Sequence, residues 1–481
     1  MTKQRKPKRR ATERRGSRAV PHIAGAWKWR LVLTAMVVGG GILALSVAAS
    51  FRRQNETSQA KSVPPKETAV EVSRPRGYTP PDSIAALNEE EIALARSLVE
   101  AFPDSPDSIS LLGLVLSRQG DSTEAVKCWS KCLALNPQHA LSYLNMGTIA
   151  QRQGEYEKAV ELFHKALELS PKMSEAYHRL ALVLLSQGKP QEAITALERQ
   201  LELSPGPSEP WFHLGKAYLL LKDYAKAKER FERAIAIRRD HAGAYYGLVT
   251  ACSRLHQAET SRQYLKEFKR LKAVPRDTHA HRLQAYENLA SVRRTLAGTY
   301  TDAGEIYGRS GKPLEAEVLW RKAAVLDAKN TSCRVRLASL YLSSKRNHEA
   351  LRICERLREI EPGKSIHSLN IGIIRDRLDD YDGAEKAFLK SIELEPRRSE
   401  GYRELAELYL HTNRNVGHAR KLVATAVQLE PIASNFFVLG WACEKNGDLT
   451  GALTAIERAR ALDPTNPQYR RTQADLLKRR Q

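Results

Sequence analysis

Few residues in this chain are placed to do chemistry. His279 and His281 stand two apart, a spacing that shares a metal ion only if a third ligand converges on them; without one they are solvated linker residues. Asp379, Asp380 and Asp382 crowd the start of a helical pattern, where carboxylates cap free N–H groups and meet the positive end of the dipole. The six cysteines, at 128, 132, 252, 333, 354 and 443, form no CxxC or CxxCH pair, which excludes zinc-ribbon, thioredoxin and c-haem signatures. Cys128 and Cys132 share one helix face with both Cβ atoms along the same axis, poor geometry for a disulfide, so their expected role is packing. A phosphate-cradling glycine loop, HExxH and GxSxG are all missing from the sequence, as is a Ser, His, Asp order. We therefore expect no catalytic residue, no metal ligand set and no cofactor: the chain reads as a non-enzyme.

Charge and hydropathy say where such a chain sits. The net charge is +22, but eleven basic residues and a single acid, Glu13, fall in the first 30 positions, so the excess is largely a property of a basic tail. Leu31–Phe51 follows, 21 residues without a charge, ten of them Leu, Val, Ile or Phe, with Trp27 and Trp29 at one edge and Arg52 and Arg53 at the other. At ~1.5 Å per residue this span is about 31 Å long, matching a hydrocarbon core of about 30 Å. Positive charge is retained on the cytoplasmic side, so the expected topology is a single-pass signal anchor, amino terminus cytoplasmic and the remainder periplasmic or otherwise extracytoplasmic. Val47-Ala48-Ala49 keeps a cleaved signal peptide open as the alternative. Residues 52–83 hold Pro64, Pro65, Pro75, Pro80 and Pro81 among polar residues and read as an extended spacer. The tail beside such a span is expected to serve topology and lipid contact, with no nucleic acid as partner.

The remainder is periodic. Pro137, Pro171 and Pro205 are 34 residues apart, and Pro362, Pro396, Pro431 and Pro464 follow at intervals of 34, 35 and 33. Ahead of each lies one helix with an early aromatic and a small residue near its eighth position, then a second carrying Ala, a bulky residue and Ala. Tyr143, Gly147, Tyr156, Ala159, Phe163, Ala166 and Pro171 make one such unit; Trp211, Gly215, Tyr218, Tyr224, Ala227, Phe231 and Ala234 make another. Small residues such as Gly147, Gly215, Gly304, Gly372 and Gly440 let paired helices approach, and proline ends the second helix of each pair.

This grammar resembles the tetratricopeptide-repeat family over residues 85–466. The resemblance implies an all-α chain, a right-handed α-solenoid of about ten helix pairs behind the one transmembrane helix. Unit starts are expected near 106, 140, 174, 208, 297, 331, 365, 399 and 433, with a degenerate unit near 242 and a lone helix over 85–102. The starts at 242 and 297 break the period, so the expected organisation is a first sub-array over 84–272, a register break or inserted helix over 273–296, a second sub-array over 297–466 and a capping helix over 467–481.

The family's concave face is lined by positions 2, 5, 6, 9, 12 and 13 of each unit. Carried onto this sequence, those slots nominate Leu144, Asn145, His178, Arg179, Leu182, Phe212, His213, Lys216 and Tyr246 as a groove for an extended peptide or partner helix with an acidic flank. The family's carboxylate clamp for chaperone tails is not reproduced, because Ser110, Leu114 and Glu175 stand where Lys, Asn and Lys belong. The expected function is a membrane-tethered scaffold for protein assembly; the alternative is an accessory subunit that recruits substrate to an envelope enzyme, secretion or cytochrome-maturation system. Oligomeric state is not legible.

Overall fold

The computed structural model describes Pro75, residues 77–273 and residues 278–480, with only the backbone of residues 278–287. The basic tail, the apolar span 31–51 and most of the spacer lie outside the described residues, as do the side chains of His279 and His281. Among the described residues the fold is all helical, and no helix there is long and apolar enough to cross a membrane.

One compact unit covers Glu71–Cys333 and another contains Arg334–Gln481. The first holds α1 (Ile84–Ala101), α2 (Pro106–Arg118), α3 (Ser122–Leu135), α4 (Ala140–Arg152), α5 (Tyr156–Leu169), α6 (Ser174–Ser186), α7 (Pro190–Leu203), α8 (Ser208–Leu220), α9 (Tyr224–Ile237), α10 (Ala242–Arg254), α11 (Ala258–Lys272), α12 (Thr278–Arg309) and α13 (Pro313–Leu326). Helix α14 (Thr331–Ser343) crosses the boundary, and the second unit continues with α15 (Asn347–Ile360), α16 (Ser365–Arg377), α17 (Tyr381–Leu394), α18 (Ser399–Thr412), α19 (Val416–Leu429), α20 (Ala433–Lys445), α21 (Leu449–Leu462) and α22 (Pro467–Arg480). First helices of successive pairs thus begin at 106, 140, 174, 208, 242, 331, 365, 399 and 433, while the start near 297 falls inside the long α12.

Local chemistry sets these bounds. Ser83, Ser105, Asp121, Asp223, Asp380 and Asp448 each accept a backbone N–H at the mouth of the following helix. Pro106, Pro190 and Pro313 occupy first-turn positions, where the missing N–H costs nothing. The tight turn inside each pair needs one residue with positive φ; glycine supplies it at 120, 154, 188, 311 and 447, whereas Lys222, His256, Lys345, Asp379 and Asn413 adopt it with a side chain.

Within a pair, a bulky side chain of the second helix fills a socket left by a glycine of the first. A Cβ on Gly147 would stand 2.7 Å from the Phe163 ring, and one on Gly372 would run into Phe388; Gly304 and Gly440 face Trp320 and Ile456 in the same way. Phe231 is held from both sides, by Gly215 of its own pair and Gly247 of the next, each 2.5 Å from it by the same measure. The Phe163, Phe231 and Phe388 rings are wholly buried, and each contributes roughly 2–3 kcal/mol of transfer free energy. Trp129 and Trp320 also donate from the indole N–H to the Ser110 and Thr301 carbonyls, both at 3.1 Å.

The first unit does not run in simple chain order. Helix α1 packs against α2 and also against α12, so the pair α12–α13 returns to the amino-terminal end of the stack. Leu98 and Leu111 join Ala303 and Ile306 in one buried cluster there, with Phe102, Tyr307 and Leu319 around it. The last residues of the expected spacer are folded onto this junction: Pro75 is buried, the Tyr78 ring meets Tyr300 edge-on at 6.4 Å, and Arg293 donates to the Pro81 carbonyl at 3.1 Å.

Candidate functional site

Three first helices, α4, α6 and α8, carry most of the nominated groove residues. Leu144 is 6% exposed and belongs to the core rather than to an open surface, because it packs with Leu180 and Leu184 of the following pair. Its neighbour Asn145 is half-buried, and its Nδ2 is enclosed with no hydrogen-bond partner among the described residues.

His178 and Arg179 diverge. His178 is fixed through Nδ1, 3.2 Å from the Gln200 amide oxygen, and its ring stands edge-on to His213 at 5.5 Å. Arg179 is drawn onto Glu175 one turn earlier at 2.7 Å, an exposed pair that contributes little stability. Leu182 is half-buried on the same helix.

On α8, Phe212 and His213 sit back to back with the next pair. Phe212 packs on Phe231 at 5.9 Å and on the His241 ring at 4.6 Å, so it is chiefly a packing residue. Burial, reinforced by His178 and Lys216 nearby, pushes the His213 imidazole down to about 4, and its Nδ1 is enclosed without a partner among the described residues. The same carboxylate, Glu209, faces both imidazoles: it stands 4.0 Å from His213 and 3.6 Å from His241, and is bonded at 2.9 Å to Arg238. Ala244 N–H donates to His241 Nδ1 at 3.3 Å, which leaves the His241 proton on Nε2 toward Glu209. Lys216 is exposed, its ammonium 5.9 Å from the Phe212 ring centre, with no anionic partner among the described residues.

Tyr246 on α10 is 59% exposed, with the Phe268 ring 5.4 Å away. What these helices bring together is therefore a strip with the exposed Lys216 ammonium and Tyr246 ring at its surface, Leu182 half-buried beside them, Leu144 and Phe212 as its floor, and Asn145 Nδ2 and His213 Nδ1 enclosed.

Elsewhere the candidates of the sequence find structural work. Asp380 caps α17 through the Gly383 N–H at 3.0 Å. No disulfide joins any of the six cysteines; Cys128 is half-buried, the others are buried, and burial pushes Cys354 up to about 12. Among the described residues no cluster of His, Cys, Asp and Glu has the makings of a metal site.

One site had no counterpart in the sequence reading. Glu91, 3% exposed, accepts from Thr299 Oγ1 at 2.6 Å and from Arg118 at 2.6 Å, and Tyr300 donates to neighbouring Glu90. Lys322 lies over the rings of Tyr78 and Tyr300 at 4.6 and 5.2 Å. A signal existed: Glu91 shares the apolar row Leu87, Ala95, Leu98 of α1, where a carboxylate is buried only if a partner arrives.

Comparison with known proteins agrees with the helix pairs. Tetratricopeptide-repeat models match residues 106–172, 172–240, 369–398 and 413–467, and those segments are tetratricopeptide repeats. No curated protein matches the chain. Among solved structures, MamA (residue 41 to the end) from Desulfovibrio magneticus RS-1 is 20% identical, covering 39% of this chain and 98% of that one with a TM-score of 0.34. YrrB, described as a tetratricopeptide-repeat protein with an unusual peptide-binding site, is 20% identical over 40% of this chain and 97% of its own, TM-score 0.34. Yeast Tom70 is 16% identical over 78% and 95%, TM-score 0.33.

Proposed function

We propose that this chain is a tetratricopeptide-repeat scaffold that holds another protein against α4, α6 and α8, tethered to a membrane by Leu31–Phe51 with its repeats on the extracytoplasmic side. The observation that supports capture is the exposed pair on this face, the Lys216 ammonium with no anionic partner among the described residues and the projecting Tyr246 ring. The tether rests on the uncharged 21-residue run and the eleven basic residues before it.

The ligand that suits the strip is an extended segment with an acidic side chain for Lys216 and an apolar one for Tyr246. Lys216→Glu combined with Tyr246→Ala tests this by affinity purification from a detergent extract, since both residues are exposed and neither supports the core. A partner recovered stoichiometrically with the native chain and lost with the variant, at unchanged helical content, is the expected result. Equal recovery of that partner by both proteins would remove this face as the binding site. A reporter active only outside the cytoplasm, fused to the carboxy terminus, tests the topology separately; silence at normal expression would overturn it.

A further inference from the structure

We propose that the solvent face of α22 is a docking surface for anionic phospholipid. The helix is bound to the array by Tyr469, Thr472 and Leu476, which are buried, with the Tyr469 ring 5.1 Å from Phe437. At 100° per residue the opposite face carries Arg470, Arg471, Ala474, Leu477 and Lys478, all exposed, with Leu477 at 44%.

The charges on that face are not spent inside the protein. Arg479, to one side, pairs with Glu444, and Arg460 of α21 donates to Gln473. Arg471 and Lys478 have no anionic partner among the described residues, and Arg470 reaches only the Thr465 carbonyl at 3.5 Å. Helix α22 holds a single acid, Asp475. The dipole accounts for the cations at its carboxy-terminal end, Lys478 to Arg480, and does not account for Arg470 and Arg471, which lie at the other end, past its first three residues. Two arginines with no carboxylate partner among the described residues, about two turns from a projecting leucine and an unpaired lysine on the same face, point to an external anion.

The face selects the kind of anion. It is a single convex helix with no groove to follow a phosphate strand and no aromatic on which bases stack, so nucleic acid is poorly served. A bilayer surface offers dense phosphate to the three cations and an interfacial layer that accepts Leu477. The proposed tether adds proximity, raising the effective lipid concentration, and only that clause depends on the tether reading.

The test uses the full chain with Cys128→Ser and Leu477→Cys, labelled with bimane; the remaining cysteines are buried and stay unlabelled. The protein is reconstituted into phosphatidylcholine bilayers with or without phosphatidylglycerol, and quenching by brominated lipid is read. We expect quenching only with phosphatidylglycerol, reduced by salt, and an apparent affinity weakened about a hundredfold by Arg470→Gln, Arg471→Gln and Lys478→Gln together. Equal quenching in both lipids, or insensitivity to the triple substitution at unchanged helical content, would overturn the proposal. So would a spectral shift caused by polyglutamate or single-stranded RNA but not by lipid. Alkaline extraction of the same reconstituted chain reports the tether independently, so failure of one reading is separable from failure of the other.

Discussion

Glu91 and Thr299, 208 residues apart in the chain, share a hydrogen bond of 2.6 Å. That contact joins α1 to α12 and explains how a helix with no pair of its own is stabilised at the head of the first unit: the chain comes back to cover it. Replacing Glu91 by Ala leaves Thr299 and Arg118 facing an apolar gap. With Arg118 about one third exposed, we expect a loss near 2 kcal/mol, smaller for Glu91→Gln. Hydrogen exchange should rise together in α1 and α12 and remain unchanged in α20 and α21; a rise confined to α1 would contradict the coupling.

The glycine sockets differ in tightness, which makes a graded series. Gly215→Ala and Gly147→Ala force a methyl to within 2.5 and 2.7 Å of a buried ring and should cost about 1–3 kcal/mol in thermal or urea unfolding. Gly298→Ala, on an open part of α12 with nothing within 4 Å, should instead stabilise by up to about 1 kcal/mol.

Lys222 holds φ +62° in a turn where other pairs use glycine. Lys222→Gly should raise stability by about 0.5–1 kcal/mol, because relief of left-handed strain exceeds the entropy that glycine adds to the unfolded chain. A fall in midpoint would show that the lysine side chain does more than turn the corner.

His213 makes the first unit acid-sensitive. Its folded value of about 4 lies below the ordinary 6.5, so the unfolded chain takes up a proton before the folded one does. The stability from keeping this ring neutral is present above pH 6.5 and declines as pH falls toward 4, reaching about 2 kcal/mol lost at pH 5. In a comparison of urea midpoints at pH 7.5 and 5, His213→Gln should lose correspondingly less than the native chain. Parallel losses would place the acid sensitivity elsewhere.

Much of this was readable from residue types. A proline every 34 residues, small residues that meet bulky ones and aspartates before helices are local or pairwise signals, and the helix starts at 106, 140, 174 and 208 follow them closely. The return of α12 to α1 was not readable, because repeat spacing encodes which helix follows which but not which surfaces meet after a break. Glu91 hinted at it without naming Thr299. Among the nominated groove residues, family positions do not separate Phe212, held by Phe231 and His241, from Tyr246, which projects. Burial at those slots depends on the neighbouring pair, and sequence position alone carries no information about that.

On the proposed function, a protein partner lies along the strip of α4, α6 and α8 and its edge on α10. Site-specific photocrosslinking in the native host tests it most directly, with the crosslinker placed at Lys216, at Tyr246 and, as a control, at exposed Lys165 on the outer helix α5. We expect one discrete adduct from the first two positions and none from Lys165. Adducts of equal yield from all three, or from Lys165 alone, would contradict the account.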